Sequence, residues 1–333
     1  MMRTCWFWYD IRMNLINEPI IFKPVYKNYL WGGEKIASAY NRKGTPEVCA
    51  ESWEISAHPD GMSVVEDGSF KGMTLDDLVK KFGANLIGTK APQSDVFPLL
   101  FKIIDAKHRL SVQVHPNNGN ANLTGGQPKT EMWFVLGCEK GASLFAGLTD
   151  NATEKTIAAT SKDGSVANQL VELKIAAGQA LFIPGGLVHA IGDGCLIYEV
   201  QQNSNTTYRM FDWNRTDAHG NPRELHIDKS LKTIDWSLPV PEMVDPQSDE
   251  QGWSQVVSCE FFTMKKLELN GTETITPNGT SFISLFAAEG SATVNCGGKS
   301  VDLPTGSSVL IPATAEGCVI ESDKGASLLV TTL

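Results

Sequence analysis

The sequence lacks any apolar run of the roughly 18–20 residues that a membrane-spanning helix requires, which excludes a helical membrane protein. It lacks a Cys-x-x-Cys pair. The seven cysteines, Cys5, Cys49, Cys138, Cys195, Cys259, Cys296 and Cys318, are scattered and odd in number. That pattern fits free thiols in a reducing cytoplasm better than a disulfide scaffold. Basic residues are in deficit, with 28 Lys and Arg against 38 Asp and Glu and a net charge of −10. A nucleic acid or an anionic membrane is therefore not the expected partner. An anionic substrate stays open, because a few local cations can dominate a pocket. Histidine is scarce as well: His58, His108, His115, His189, His219 and His226 are all there are.

What the chain does have is core material. Its 333 residues are 42% hydrophobic and 20% charged, enough for one large domain or two ordinary ones. Residues 1–12, MMRTCWFWYDIR, are too short and too polar at their end for a secretory signal. They read as an extension or an upstream start, and more ordinary sequence begins at Met13.

From Ile20 to Ala57 β-formers alternate with turn residues, and within ESWEIS the residues Glu51, Trp53 and Ile55 share one strand face. Thr74 to Ile87 reads as a helix with Thr74 as N-cap and Leu75, Leu78, Val79 and Phe82 as its apolar stripe. Pro98 to Ile104 is a buried strand, Lys129 to Leu136 another, and Thr153 to Leu170 mostly helix, interrupted near Asp163-Gly164. Short strands with Gly and Pro turns follow, which predicts a sandwich or barrel rather than βαβ units. Residues 215–250, polar and rich in Pro, read as a linker or a surface-wrapping arm.

An internal repeat organises the second half. Gly178-Gln-Ala-Leu-Phe-Ile-Pro184 matches Gly306-Ser-Ser-Val-Leu-Ile-Pro312, which puts His189 opposite Gly317. Upstream, Trp133-Phe-Val-Leu136 parallels Ile283-Ser-Leu-Phe286, with no acid where Glu131 would fall. The expectation is a mainly β protein of two related barrels, with a few helices inserted in the N-terminal half. The first copy is equipped with polar groups and the second stripped of them. The corresponding division is a catalytic domain over 13–245 and a degenerate one over 246–333.

The polar groups converge on chemistry. In Leu110-Ser-Val-Gln-Val-His115, the residues Ser111, Gln113 and His115 occupy one strand face. Gln113 and His115 can therefore point at one ion, with Glu131 from the next strand and His189 from a third. Two imidazoles and a carboxylate suit Zn²⁺, although other divalent metals accept the same set. The absence of thiolates argues against a purely structural zinc site.

The order of these segments resembles the cupin superfamily, and more narrowly class I mannose-6-phosphate isomerase of the compact bacterial type. The resemblance rests on FKPVYKNYLWGG, ESWEIS with HPDG, PLLFKIIDAKHRLSVQVHPNN, KTEMWFVL, IPGGLVHAIGDG and EVQQNSNTTYRMFDWNR. It spans about residues 14–333 and is most specific in the first two-thirds. It implies cupin (jelly-roll) barrels, one zinc ion per chain and interconversion of mannose 6-phosphate and fructose 6-phosphate through an enediolate. By the same resemblance Arg209 is the catalytic arginine, Ser111 and Lys129 bind the substrate phosphate, and Glu199 does acid/base or orienting work near the sugar. His58 lies in the matching HPDG segment. Asn205 departs from the pattern, where an Asp is commoner. The implied partner is a small sugar phosphate, without nucleic acid or membrane. The implied state is a monomer or weak homo-oligomer in the cytoplasm. The competing readings are another metal cupin, oxygenase or epimerase, and a non-catalytic sugar-binding cupin.

Overall fold

The computed structural model describes residues 16–93, 95–217 and 219–333. The proposed extension, residues 1–12, lies outside them. The chain divides into two compact units. One comprises residues 26–53 and 100–245; of the described residues, the other gathers 16–25, 54–99 and 246–333. The junction expected at 245/246 is thus one of several, and the continuous 13–245 unit is not how the chain divides.

The first unit consists of two antiparallel sheets. Six strands run in the order Ala180–Ile183, Glu131–Cys138, Cys195–Gln202, Leu99–Ala106, Glu51–Ile55 and Val25–Lys27. Five run in the order Tyr208–Phe211, Val112–Val114, His189–Ile191, Ser143–Leu148 and Leu170–Lys174. Alternate residues from both sheets, among them Val135, Ile197, Leu144 and Ile191, fill the space between them as one apolar cluster. A second cluster lies on the other face of the five-stranded sheet, where Ile157 and Ile234 meet Val112, Val114 and Met210.

Residues 153–170 follow the expected interruption. Thr153 caps the helix Glu154–Asp163, Gly164 adopts φ +83°, and a 3₁₀ turn, Ser165–Gln169, leads into the strand Leu170–Lys174. Residues 215–250 correct the expectation. They are not a bare linker: Ile227–Thr233 forms a helix with Ser230 and Thr233 buried. Its polar sequence hides the helix because the buried side are hydroxyl residues, and Ser230 Oγ returns its bond to the backbone oxygen of His226 at 2.9 Å.

The second unit is built on a seven-stranded sheet whose inward residues, such as Leu267, Leu285, Val294, Val309, Ile320 and Leu328, form their own core. Residues 74–88 pack there, since Ala313 N–H donates to Leu86 O at 2.9 Å and Phe82 and Leu86 are buried. The predicted helix is split by Gly83 (φ +50°) into Leu75–Phe82 and Ala84–Ile87. Thr74 caps it through Asp77, Oγ1 accepting the Asp77 N–H at 3.0 Å.

Strand pairing makes the internal repeat exact in register and shifts part of it by two residues. Ile183 pairs with Glu131 in the first unit, and Ile311 pairs with Ile283 in the second. The counterpart of Glu131 is therefore Ile283, and that of Trp133 is Leu285. The same ladder sets Glu199 opposite Trp133 and Val330 opposite Leu285. Both Ile283 and Val330 belong to the apolar core of the second unit. The cysteines bring a further correction: Cys296 and Cys318, on adjoining strands, are joined as a disulfide, and Cys138, Cys195 and Cys259 are free.

Candidate metal centre and its cavity

One rung across the five-stranded sheet starts the site. Gln113 pairs with His189 on one side and Arg209 on the other, so all three share a face. His115 follows Gln113 by two residues and lies on the same side. The loops carrying the two histidines are clamped together, as Gly186 N–H donates to His115 O at 2.7 Å. That approach needs Gly185, where a Cβ would stand 2.7 Å from Pro116 O. Glu131 arrives from the facing sheet.

The acceptors converge. His115 Nδ1 lies 2.8 Å from Thr206 O, and His189 Nδ1 2.8 Å from Leu187 O. A carbonyl can only accept, so each ring carries its proton on Nδ1 and turns an Nε2 lone pair inward. The two Nε2 atoms are 3.2 Å apart, and Glu131 Oε1 lies 3.3 Å from His189 Nε2 and 3.7 Å from His115 Nε2. A tetrahedral ion with bonds of about 2.0–2.1 Å holds its ligand atoms roughly 3.3–3.4 Å apart. His115, Glu131 and His189, all buried, are the one group of His, Cys, Asp and Glu among the described residues that could hold an ion. Gln113 Nε2 faces His189 Nε2 at 3.3 Å, and a half-turn of the amide brings its oxygen to the same point.

The electrostatics suit the binding of a cation. Among the described residues no donor meets Glu131 Oε1, and Lys129 Nζ stands 2.8 Å from Oε2. Burial pushes the Glu131 carboxyl up to about 8 and His189 down to about 3, and it drives His115 well below its ordinary range. Three groups that resist carrying their own charge thus surround one point. A divalent ion would hold the carboxylate ionised and the imidazoles neutral.

Beside this point lies a cavity of about 260 Å³. Its lining includes Ser111, Gln113, Lys129, Glu199, Asn205 and Arg209, so every residue expected to meet the substrate borders one space. Lys129 Nζ, 3.1 Å from His115 Nε2 and 2.8 Å from Glu131 Oε2, belongs to the metal end. Glu199 Oε2 accepts from Trp133 Nε1 at 2.9 Å. Burial opposes the charge of Glu199, but Lys129 and Lys102 overcome it and pull the carboxyl down to about 2. Arg209 Nη1 donates to Glu224 O at 2.9 Å, while its buried Nε has no hydrogen-bond partner among the described residues. His58 is not in the lining; its Nδ1 accepts from Asp60 N–H and caps the turn at Pro59–Gly61.

Several lining residues escaped the sequence reading. Lys102 is buried with Nζ 3.2 Å from Glu199 Oε1, 3.8 Å from Glu51 Oε2 and 5.0 Å from the Trp53 ring centre. Glu51 accepts from Trp53 Nε1 at 2.6 Å. The available signal was a single cation inside the apolar run Leu99–Ile104, a position that solvation alone does not explain. Arg223 also lines the cavity.

A cavity between two antiparallel sheets, walled by charged side chains and set beside a cluster of two imidazoles and a carboxylate, defines a metal-site β enzyme of the cupin kind. Comparisons with known proteins give the family. Residues 20–162 match the catalytic domain of type I phosphomannose isomerase, and residues 254–331 match the cupin domain of mannose-6-phosphate isomerase. Mannose-6-phosphate isomerase ManA of Bacillus subtilis is 36% identical over 303 residues, 90% of this chain and 94% of that protein. Mannose-6-phosphate isomerase of Streptococcus mutans is 34% identical over 314 residues, 92% of this chain and 96% of that protein. The crystal structure of the mannose 6-phosphate isomerase from Bacillus subtilis superposes with a TM-score of 0.85 at 31% identity, covering 95% of this chain and 100% of that one. The chain belongs to the type I mannose-6-phosphate isomerase family.

Proposed function

We infer that this chain interconverts mannose 6-phosphate and fructose 6-phosphate with the aid of one divalent ion, most simply zinc. The observation that carries the reading is the convergence of His115, Glu131 and His189 beside a cavity that Lys129, Glu199 and Arg209 border. Family membership supplies the substrate. Two imidazoles and a carboxylate are a donor set that zinc accepts, with Gln113 as a fourth, replaceable ligand. When bound, the ion supplies Lewis-acid polarisation of the sugar oxygens at C1 and C2.

The remaining work falls to side chains. Moving a proton between C1 and C2 builds negative charge on a sugar oxygen. Arg209 offers a guanidinium that stays charged and whose Nε–H is not otherwise engaged, suited to an enediolate oxygen. Lys129 faces the same end and donates to a sugar oxygen beside the ligands. Glu199, held ionised by Lys129 and Lys102, is a poor proton acceptor at neutral pH; it orients the sugar by accepting from its hydroxyls. A doubly charged substrate does not leak through hydrocarbon, so the reading carries a cytoplasmic location with it.

The test is direct. Zinc-loaded protein given mannose 6-phosphate should form fructose 6-phosphate, and a chelator should abolish the turnover. No turnover in the metal-loaded protein, or turnover indifferent to complete removal of metal, would sink the reading.

A further inference from the structure

The substrate has two ends, and the cations of the cavity are divided between them. Lys129 is committed to the metal end by its 2.8 Å and 3.1 Å contacts with Glu131 and His115. Moving along the strand from Gln113 to Ser111 leads away from that end by about 6.6 Å, two residues of extended chain. The neighbouring strand runs the same course: Arg209 pairs with Gln113 and Phe211 with Val112, which brings Asp212 alongside Ser111. Asp212 is buried and accepts from Arg223, Nε to Oδ2 at 2.7 Å and Nη2 to Oδ1. Arg215 Nη2 donates to the same Oδ1, and Arg215 Nη1 turns away to Arg109 O at 2.6 Å. Only Arg223 of these two lines the cavity, with its side chain 29% exposed.

Two guanidiniums, Arg215 and Arg223, therefore share one carboxylate, and a third, Arg209, stands close enough to feel the charges of Arg223 and Asp212, in a molecule whose net charge is −10. Arg209 registers the excess: burial first and the charge of Arg223 second lower its pKa. The Asp212 pairing fixes the Arg223 fork by one edge and leaves its Nη1 edge free for an anion.

We propose that Arg223, aimed by Asp212, is the guanidinium that grips the substrate's phosphate at the Ser111 end of the cavity, and that Lys129 does not. Arg223 is then the residue that makes the enzyme select a phosphorylated sugar. Asp212 is a positioning residue. The proposal rests on the sugar-phosphate reading above, and inorganic phosphate separates the two.

Inorganic phosphate is titrated calorimetrically into zinc-loaded wild type, Arg223→Gln, Arg223→Lys and Arg215→Gln, each checked for metal content and thermal midpoint. Arg223→Gln should weaken phosphate binding at least about tenfold and raise KM for mannose 6-phosphate about 10- to 100-fold, with kcat changed far less. Arg223→Lys should recover part of the binding, and Arg215→Gln should stay within about threefold of wild type. Phosphate binding by folded Arg223→Gln within twofold of wild type would overturn the proposal. So would an equal loss in Arg215→Gln, which would make the effect a general field rather than a contact. Phosphate binding that depends on Arg223 in a protein without isomerase turnover would uphold the proposal while removing the reading on which the substrate's identity rests.

Discussion

The site is a set of acceptors that pay an electrostatic penalty for facing one another, and single residues should report it. His189→Ala removes an Nε2 lone pair that points at the place where His115 and Glu131 converge. Outer partners of metal ligands are worth 10- to 100-fold in affinity, so loss of a ligand should exceed about 100-fold, read as metal content after dialysis against a weak chelator. Retention of one ion per chain by this variant would break the ligand assignment. Arg209→Ala should behave oppositely: full metal content, with kcat lower by about 10²- to 10³-fold, the usual scale for one lost oxyanion donor. Lys102→Met should act on stability. Burial disfavours the Lys102 charge, but Glu51 and Glu199 hold it protonated, and its removal leaves buried carboxylates uncompensated. The expected loss is about 3–5 kcal/mol in chemical denaturation. The residues of the site differ in how legible they were. Ser111, Gln113 and His115 stand out because a polar period of two along an apolar strand is a local pattern. Lys102 and Glu51 become meaningful only when their strands meet that of Glu199, a fact of pairing that no single stretch contains.

At the scale of elements, precision comes from the loop–loop clamp. Gly185→Ala would place a carbon 2.7 Å from Pro116 O and push apart the loops that carry His115 and His189. Metal affinity should fall roughly 10-fold or more, with the fold retained, as for other changes that reorient ligands from outside. Turn chemistry made Pro184-Gly-Gly186 readable as a turn, yet the reason for Gly185 is a close approach from another part of the chain. The helix Ile227–Thr233 went unread for a related reason: its buried residues are the hydroxyl-bearing Ser230 and Thr233, so apolar period was absent. The repeat between the units was visible at its Gly and Pro turns, but only strand register showed Ile283 to stand for Glu131 and Val330 for Glu199.

For the molecule as a whole, pH links the site to stability. In the metal-free protein Glu131, pushed up to about 8 from an ordinary 4.5, binds a proton in the folded state that the unfolded state lacks across that interval. Its contribution therefore falls as pH rises. His189, pushed down to about 3 from 6.5, has the opposite sign: the unfolded state takes the extra proton between those values, and stability falls as pH falls. The two oppose each other below 6.5, and above it Glu131 acts alone. Thermal midpoints of metal-free protein should therefore decline from pH 6.5 to 8. Zinc-loaded protein should show no such decline, because ion and protons compete for the same ligands. A midpoint of the metal-free protein that rises over this interval would contradict the assignment.

The isoleucine and valine that replace two carboxylates have one more use. They make the second unit an internal standard, folded from a related pattern in the same chain, at the same concentration and in the same buffer. Hydrogen exchange with and without chelator should change protection in residues 100–245 and leave 254–332 unmoved, so the experiment brings its own baseline. A ligand that protects both copies alike is binding the scaffold; one that protects the first alone is binding the chemistry.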